Sequence, residues 1–377
     1  MTRPILEFKK FRGVCNTTDP LRVPPGHLAI AHNVDVDDEN MLHRRLGYVL
    51  KYSGDCHSLW SNGTVCLFVK SGTLYSLDPD LVTTTALKTG LSDNRMEYTD
   101  LDAMVVFTND EIIGYVHNNA AYAFPTPTQE FKEKMVGGQL IEWYNSRLYA
   151  SQGNILFYSD AVSPMAMDSR HNFISLPGVI SMIKPVADGL YVSTGDHVVF
   201  LGGRDPTDMV YYRVTDSPAI KGLSSCVDGE EIGRGVLGRC VIWVSEDGIF
   251  IGFPGGTVRE VSKGNYSLPG VTRGASLLGS PHGFYQFICS YEFLSDSGQG
   301  TVRNIPYYAD LTDGVYTFEV VAVDAVENRS PPVTLEVVVD LTPPELLTFS
   351  ATPEYFSPNG DGVKDTTTIN YSFGEPA

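Results

Sequence analysis

Apolar and polar positions along this chain fall into one pattern that repeats five times between residues 56 and 263. Each copy is a short apolar run, a turn carrying Gly, Asn or Asp, and a second run with an aromatic residue. The copies are Val65–Leu77, Ala103–Tyr115, Arg147–Ser159, Gly189–Leu201 and Val241–Gly252. No stretch of 12 residues keeps the three-and-four spacing of an amphipathic helix, so the chain reads as all-β. Each copy predicts a hairpin whose Gly or Asn supplies the positive backbone dihedral of a tight turn. The turn markers at 72, 109, 153, 195 and 248 lie 37, 44, 42 and 53 residues apart. That spacing predicts a β-propeller over residues 50–290, each hairpin forming the inner half of a four-stranded blade. Five blades are visible in the sequence, and a count of six, with one blade split between the ends, stays open. A series of β-sandwiches is the competing architecture.

Before the propeller, residues 1–49 read as an N-terminal arm and hairpin. Beyond it the pattern changes to strict alternation over Asp313–Asp324 and Val333–Val339, the signature of half-buried sandwich strands. A Pro-containing joint, Asp340-Leu341-Thr342-Pro343-Pro344, precedes another strand pattern. These segments, 291–342 and 343–377, predict two incomplete immunoglobulin-like β-sandwich modules, because one such sandwich takes about 100 residues.

Charge sharpens the boundary near residue 290. Residues 1–290 hold 24 basic and 31 acidic side chains, whereas 291–377 hold 3 and 14. The formal charge of −18, with no run of Lys or Arg, argues against a surface that grips nucleic acid. DNA passing by would be repelled rather than bound. The 42% hydrophobic content is ample for a buried core. Cysteines at 15, 56, 66, 226, 240 and 289 form no C-x-x-C pair and no zinc pattern, and read as free, mostly buried thiols. The first ten residues lack the apolar core of a signal peptide, and 18 apolar residues never run together, which predicts a protein made in the cytoplasm with no membrane span.

Two stretches carry a resemblance to a known group. The first is Phe11-Arg12-Gly13-Val14 through Pro24-Pro25-Gly26 to Asn33-Val34-Asp35-Val36, followed by Arg44-Arg45-Leu46-Gly47-Tyr48. The second runs from Arg147-Leu148-Tyr149 through Tyr158-Ser159-Asp160-Ala161 and Asn172-Phe173-Ile174 to Pro185–Ser193. Together they resemble the propeller-bearing structural proteins of short-tailed phages, the tail-nozzle and virion-stabilisation group. Leu46 departs from that group, where an Arg-Pro-Gly turn is usual. Leu311–Tyr316 and Asp324–Ser330 resemble a bacterial immunoglobulin-like module, and Phe356–Asp365 resembles the opening of a hook-capping-protein module.

Candidate chemistry is sparse. Gly233-Arg234-Gly235-Val236-Leu237-Gly238 matches the dinucleotide fingerprint in letters, but the fingerprint needs a strand before and a helix after, and a strand follows here; an inter-blade turn is expected instead. Asn359, Asp361 and Asp365 have part of a calcium-loop spacing, competing with a hydrogen-bonded Asx turn. Ser245-Glu246-Asp247-Gly248 resembles the acidic turns of glycosidase propellers but lacks their closing Trp. The eight histidines occur singly. Asn16, Asn62, Asn265 and Asn328 open glycosylation sequons. The charged hairpin holding Asp35, Asp37, Asp38, Arg44 and Arg45 is a candidate subunit contact.

The resemblance implies a non-enzymatic virion structural protein without a cofactor, other than calcium in the C-terminal module. Its implied partners are other copies of itself in a ring, portal, adaptor or tail proteins, and DNA that passes without specific binding. A secreted adhesion or carbohydrate-binding protein is the alternative, and a propeller glycoside hydrolase a second.

Overall fold

In the structure, a computed structural model, the apolar runs become strands. It describes residues 11–19, 22–29, 31, 34–36, 41–44, 50–233, 235–279, 286–293, 314–320, 333–339, 346–355, 357, 363 and 366–373. The chain divides into two compact units, Met1–Asp296 and Ser297–Ala377.

The first unit opens with a hairpin of β1 (Val34–Val36) and β2 (Leu42–Arg44). Blade one follows as β3 (Cys56–Ser61), β4 (Cys66–Lys70), β5 (Thr73–Leu77) and β6 (Thr84–Lys88). Blade two is β7 (Glu97–Leu101), β8 (Met104–Asn109), β9 (Ile112–His117) and β10 (Ala120–Ala123). A short β11 (Glu133–Lys134) leads to blade three, β12 (Leu140–Tyr144), β13 (Arg147–Gln152) and β14 (Ile155–Tyr158). There β15 (Ala166–Met167) turns aside to pair with β11 before β16 (Phe173–Ser175) completes the sheet. Blade four is β17 (Met182–Val186), β18 (Gly189–Ser193), β19 (Val198–Gly202) and β20 (Val210–Thr215). Blade five is β21 (Ser224–Asp228), a single helical turn α1 (Gly229–Ile232), β22 (Arg239–Ser245), β23 (Gly248–Gly252) and β24 (Val258–Glu260).

All five sheets are antiparallel meanders in sequence order, the arrangement of propeller blades. A two-stranded hairpin, β25 (Val271–Gly279) and β26 (Gln286–Phe293), follows blade five. The Ser276 hydroxyl donates to the Gly222 carbonyl at 3.0 Å, and the Gly274 N–H donates to the Lys221 carbonyl at 2.9 Å, so β25 lies beside β21 as the first strands of blades two to five lie beside one another.

The recurring hairpins of the sequence are β4–β5, β8–β9, β13–β14, β18–β19 and β22–β23. They are the middle pair of each blade, not its inner half. Packing explains the shift: the middle strands are sandwiched between neighbouring blades, and β18 is buried at every position. Turn chemistry also differs from the expected uniform rule. Ser71 and Gly72 (φ +48° and +67°) and Gly153 (φ +58°) occupy the left-handed region, whereas Gly195 does not. At residues 109–112 the Asn109 carboxamide instead accepts the Ile112 N–H at 3.1 Å.

The core is a chain of interfaces rather than one block. Leu67, Leu74, Tyr98 and Phe107 fill the space between blades one and two; Ile113, Ile141 and Leu148 that between two and three. Tyr149, Leu156, Leu190 and Val199 join three to four, and Tyr191, Val198, Val241 and Trp243 join four to five. Trp243 is fully buried, stacked on Phe250 at 5.7 Å between centroids. Such rings bury about 150–250 Å² each, so Tyr191, Phe200, Trp243 and Phe250 contribute much of the cohesion between blades four and five.

The N-terminal arm is stapled near the end of blade five. The Asn16 carboxamide donates to the Ser267 carbonyl at 2.8 Å and accepts the Ser267 N–H at 2.9 Å, while the Asn16 N–H donates to the Asn265 carbonyl at 3.0 Å. Cys15 is buried beneath this clasp. All six cysteines are free; Cys15 and Cys240 are buried, Cys56 exposed, and the others intermediate.

In the second unit, β27 (Gly314–Val320) pairs with β28 (Val333–Val339) from Gly314–Val339 through Val320–Val333, so both alternating segments become strands of one ladder. A second ladder joins β29 (Leu346–Thr352) to β30 (Thr368–Phe373).

Candidate functional site

Two places gather polar side chains. The first is the centre, where the opening strands of blades two to five converge. They bring Glu97 of β7, Glu142 of β12, Lys184 of β17 and Cys226 of β21 together; on β12 and β17 the charge is a single interruption of an apolar strand. Glu142 and Lys184 form an ion pair, their side chains keeping only 14% and 23% exposure. Burial alone would lower the Lys184 pKa. The Glu142 charge and hydrogen bond, helped by Cys226 and Glu97, more than reverse this and hold the ammonium well above its ordinary range. Glu97 is crowded enough that burial raises its pKa, opposed by Arg95, whose Nε lies 3.4 Å away, and by Lys184. The Cys226 thiol, pushed up to about 11 by burial and by Glu142, stays protonated at neutral pH and is no nucleophile. Arg95 also donates to the Gly274 carbonyl at 2.5 Å, tying blade two to β25 across 179 residues of sequence. The centre is therefore held by the protein's own charges, an arrangement suited to rigidity.

The second place is a groove of about 360 Å³ between blades one and two. It lies at one end of the sheets, where the β3–β4, β7–β8 and β9–β10 turns meet. Its origin is a difference in connection length. In blades four and five the link from third to fourth strand runs through residues 203–209 and 253–257 and reaches the neighbouring blade. Gly203 there accepts the Tyr144 hydroxyl at 2.9 Å, and the Gly255 N–H donates to Asp188 at 3.1 Å. Blade two replaces this link with the two-residue turn Asn118-Asn119 (φ +49° and +58°), leaving the space beside blade one open. Asp78, Asp100 and Asp102 line it together with the apolar Val65, Leu77 and Val105. Asn62 donates to Asp100 at 2.7 Å, and the Ser76 hydroxyl donates to Asn119 at 2.6 Å, which fixes the two blades against each other.

The sequence-marked residues fare differently. Gly233–Gly238 lies in the β21–β22 connection, an intra-blade link with α1 before it and a strand after it, not an inter-blade turn. Ser245–Gly248 is the β22–β23 turn, in which Asp247 accepts the Ser217 hydroxyl at 2.6 Å. In the charged hairpin, Asp35 pairs with His43 and Val34 with Arg44, while Asp37, Asp38 and Arg45 lie outside the described residues. Asn359, Asp361 and Asp365 also lie outside them, as does the sequon at Asn328. Among the described residues no group of three or more His, Cys, Asp or Glu side chains could hold a metal, and no helix is long and apolar enough to cross a membrane. The central charges escaped the sequence reading, although their signal is present: one ionisable residue in the middle of an apolar strand, as in Leu140-Ile141-Glu142-Trp143-Tyr144 and Met182-Ile183-Lys184-Pro185-Val186.

No known family profile matches this chain, and no curated relative does. Similar solved structures are propeller proteins and a binding protein. The Pan2 WD40 domain of Neurospora crassa is 11% identical over 57% of this chain and 67% of its own, with a TM-score of 0.39. The WD40 β-propeller domain of Doa1 is 12% identical over 62% and 82%, with a TM-score of 0.36. An auxiliary nutrient binding protein from Bacteroides thetaiotaomicron is 12% identical over 53% of this chain and 54% of its own, with a TM-score of 0.36. The chain thus spans about half the length of that last protein. It is an all-β propeller protein by its strand order.

Proposed function

We propose that this propeller is a non-enzymatic building block, one wall unit of a phage tail-nozzle or head-closure ring through which DNA passes. One observation carries the reading: the outermost strand of blade four, β20, begins with Val210, Tyr211 and Tyr212 at 50, 45 and 54% exposure on a free sheet edge. Natural sheets blunt such edges with charge or proline unless the edge meets something. Tyrosine is among the residues enriched where protein surfaces meet. The charge-stapled centre supports the same reading, since a wall unit needs stiffness more than an open funnel. The net charge of −18 supports passage of DNA without adhesion. The sequence resemblance to the nozzle group adds the setting: neighbouring copies, portal or adaptor proteins and a virion location. Mass photometry of the full chain tests it. The expected result is a discrete oligomer that a Tyr212→Glu substitution dissociates. Monomers at every concentration and salt would overturn the reading.

A further inference from the structure

We infer that the groove between blades one and two receives a lysine- or arginine-bearing segment of a partner protein. It is a formed cavity of about 360 Å³, within the range of pockets that hold small ligands or side chains. Its lining combines apolar side chains, Val65, Leu77, Met104 and Val105 among them, with three carboxylates and no Lys or Arg. Long basic side chains match that combination: an aliphatic stem lies on apolar surface while the charged head reaches carboxylates.

The carboxylates are open to such a guest. Asp100 uses one oxygen on Asn62, and among the described residues the side chains of Asp78 and Asp102 make no hydrogen bond or ion pair. The one basic side chain in the lining, His117, has both ring nitrogens engaged. Its Nδ1 donates to the Ala103 carbonyl at 2.9 Å, and its Nε2 accepts from Asn118 at 2.9 Å. Three acidic side chains therefore face one cavity with no internal counter-charge, and the Arg fork, with five donors, pairs with carboxylates two at a time. The occupant is thus set by charge complementarity in a formed cavity. This inference stands apart from the ring, because a chain that never assembles could still bind the segment.

Fluorescence anisotropy with a labelled alternating Gly-Arg peptide tests it, using the full chain at 50 and 150 mM salt. The variant is Asp78→Asn with Asp102→Asn. Both changes are isosteric, and Asn tolerates the left-handed backbone at 102 (φ +51°), so the fold is kept. A charge-matched control, Asp55→Asn with Asp93→Asn, removes two acids outside the groove. The groove variant is expected to bind about tenfold more weakly, which corresponds to 1.4 kcal/mol, while the control binds like the parent. Equal affinity of parent and groove variant would overturn the inference, as would equal weakening in the control, which would reduce the effect to net charge. A parent that binds neutral glycans but not the peptide would also overturn it. Mass photometry on the same samples reports assembly separately, so loss of one result does not mimic loss of the other.

Discussion

Replacing Lys184 by Met cuts the charge pair at the centre while keeping the length of the side chain. Glu142 is then left at 14% exposure without its cation, and Glu97 loses one of the charges that stabilise its ionised form. Removing one partner of a fully buried pair costs about 3–5 kcal/mol; the residual exposure of both groups scales this to about 2–4 kcal/mol. Replacing both members with apolar residues, Glu142→Leu with Lys184→Met, removes the uncompensated charge and should recover most of the loss. The cycle formed by the four proteins should therefore show a coupling of about 2 kcal/mol or more. The assay is urea unfolding followed by tryptophan fluorescence. Trp60, Trp143 and Trp243 all lie in blades, on β3, β12 and β22, so the signal reports the propeller and not the second unit. A loss below about 1 kcal/mol for Lys184→Met, or a double variant as unstable as the single one, would refute the reasoning that this pair is desolvated and mutually dependent.

Other outcomes follow from particular side chains. Burial raises the Glu97 pKa in the folded state, so its contribution to stability is complete below the ordinary carboxylate pKa near 4.5 and is lost as pH rises through the raised value. Urea midpoints should accordingly favour Glu97→Gln over the parent increasingly as pH rises across that window, and a difference that runs the other way refutes the assignment. The Tyr149 hydroxyl is buried without a hydrogen-bond partner among the described residues, so Tyr149→Phe should be neutral or stabilising by up to about 1 kcal/mol. Trp243→Ala, by contrast, should cost about 3–5 kcal/mol by opening a cavity between blades four and five. Asn16→Ala should loosen the arm and speed the reaction of Cys15 with a thiol reagent; mass mapping of the labelled cysteine checks it, and an unchanged rate would mean that the arm is held elsewhere.

The sequence made the middle strands of each blade legible and blurred the rest. A strand packed between two blades, such as Met104–Asn109 or Gly189–Ser193, must be apolar on both faces, so it stands out as a continuous run. First strands interrupt that run with polar residues, as Glu142 and Lys184 do, and fourth strands, like Val210–Thr215, are largely exposed and lose the pattern. The recurring hairpins therefore mark the five four-stranded blades but lie one strand further out than the spacing alone predicts. Glu142 and Lys184 belong to different blades, 42 residues apart, and only the ring of first strands shows that they meet. The groove was equally hidden, because it arises from what blade two omits, a long third-to-fourth link. The glycine-rich stretch Gly233–Gly238 sits within blade five rather than between blades, because α1 and the loop after it form one link between adjacent strands, which local turn chemistry does not reveal.

Electron microscopy of the purified full-length chain tests the central claim most directly. The account predicts closed rings whose walls are flat, five-bladed discs repeated around one axis, with blade four turned toward a neighbouring copy. Isolated discs alone, across a wide range of concentration and ionic strength, would contradict it.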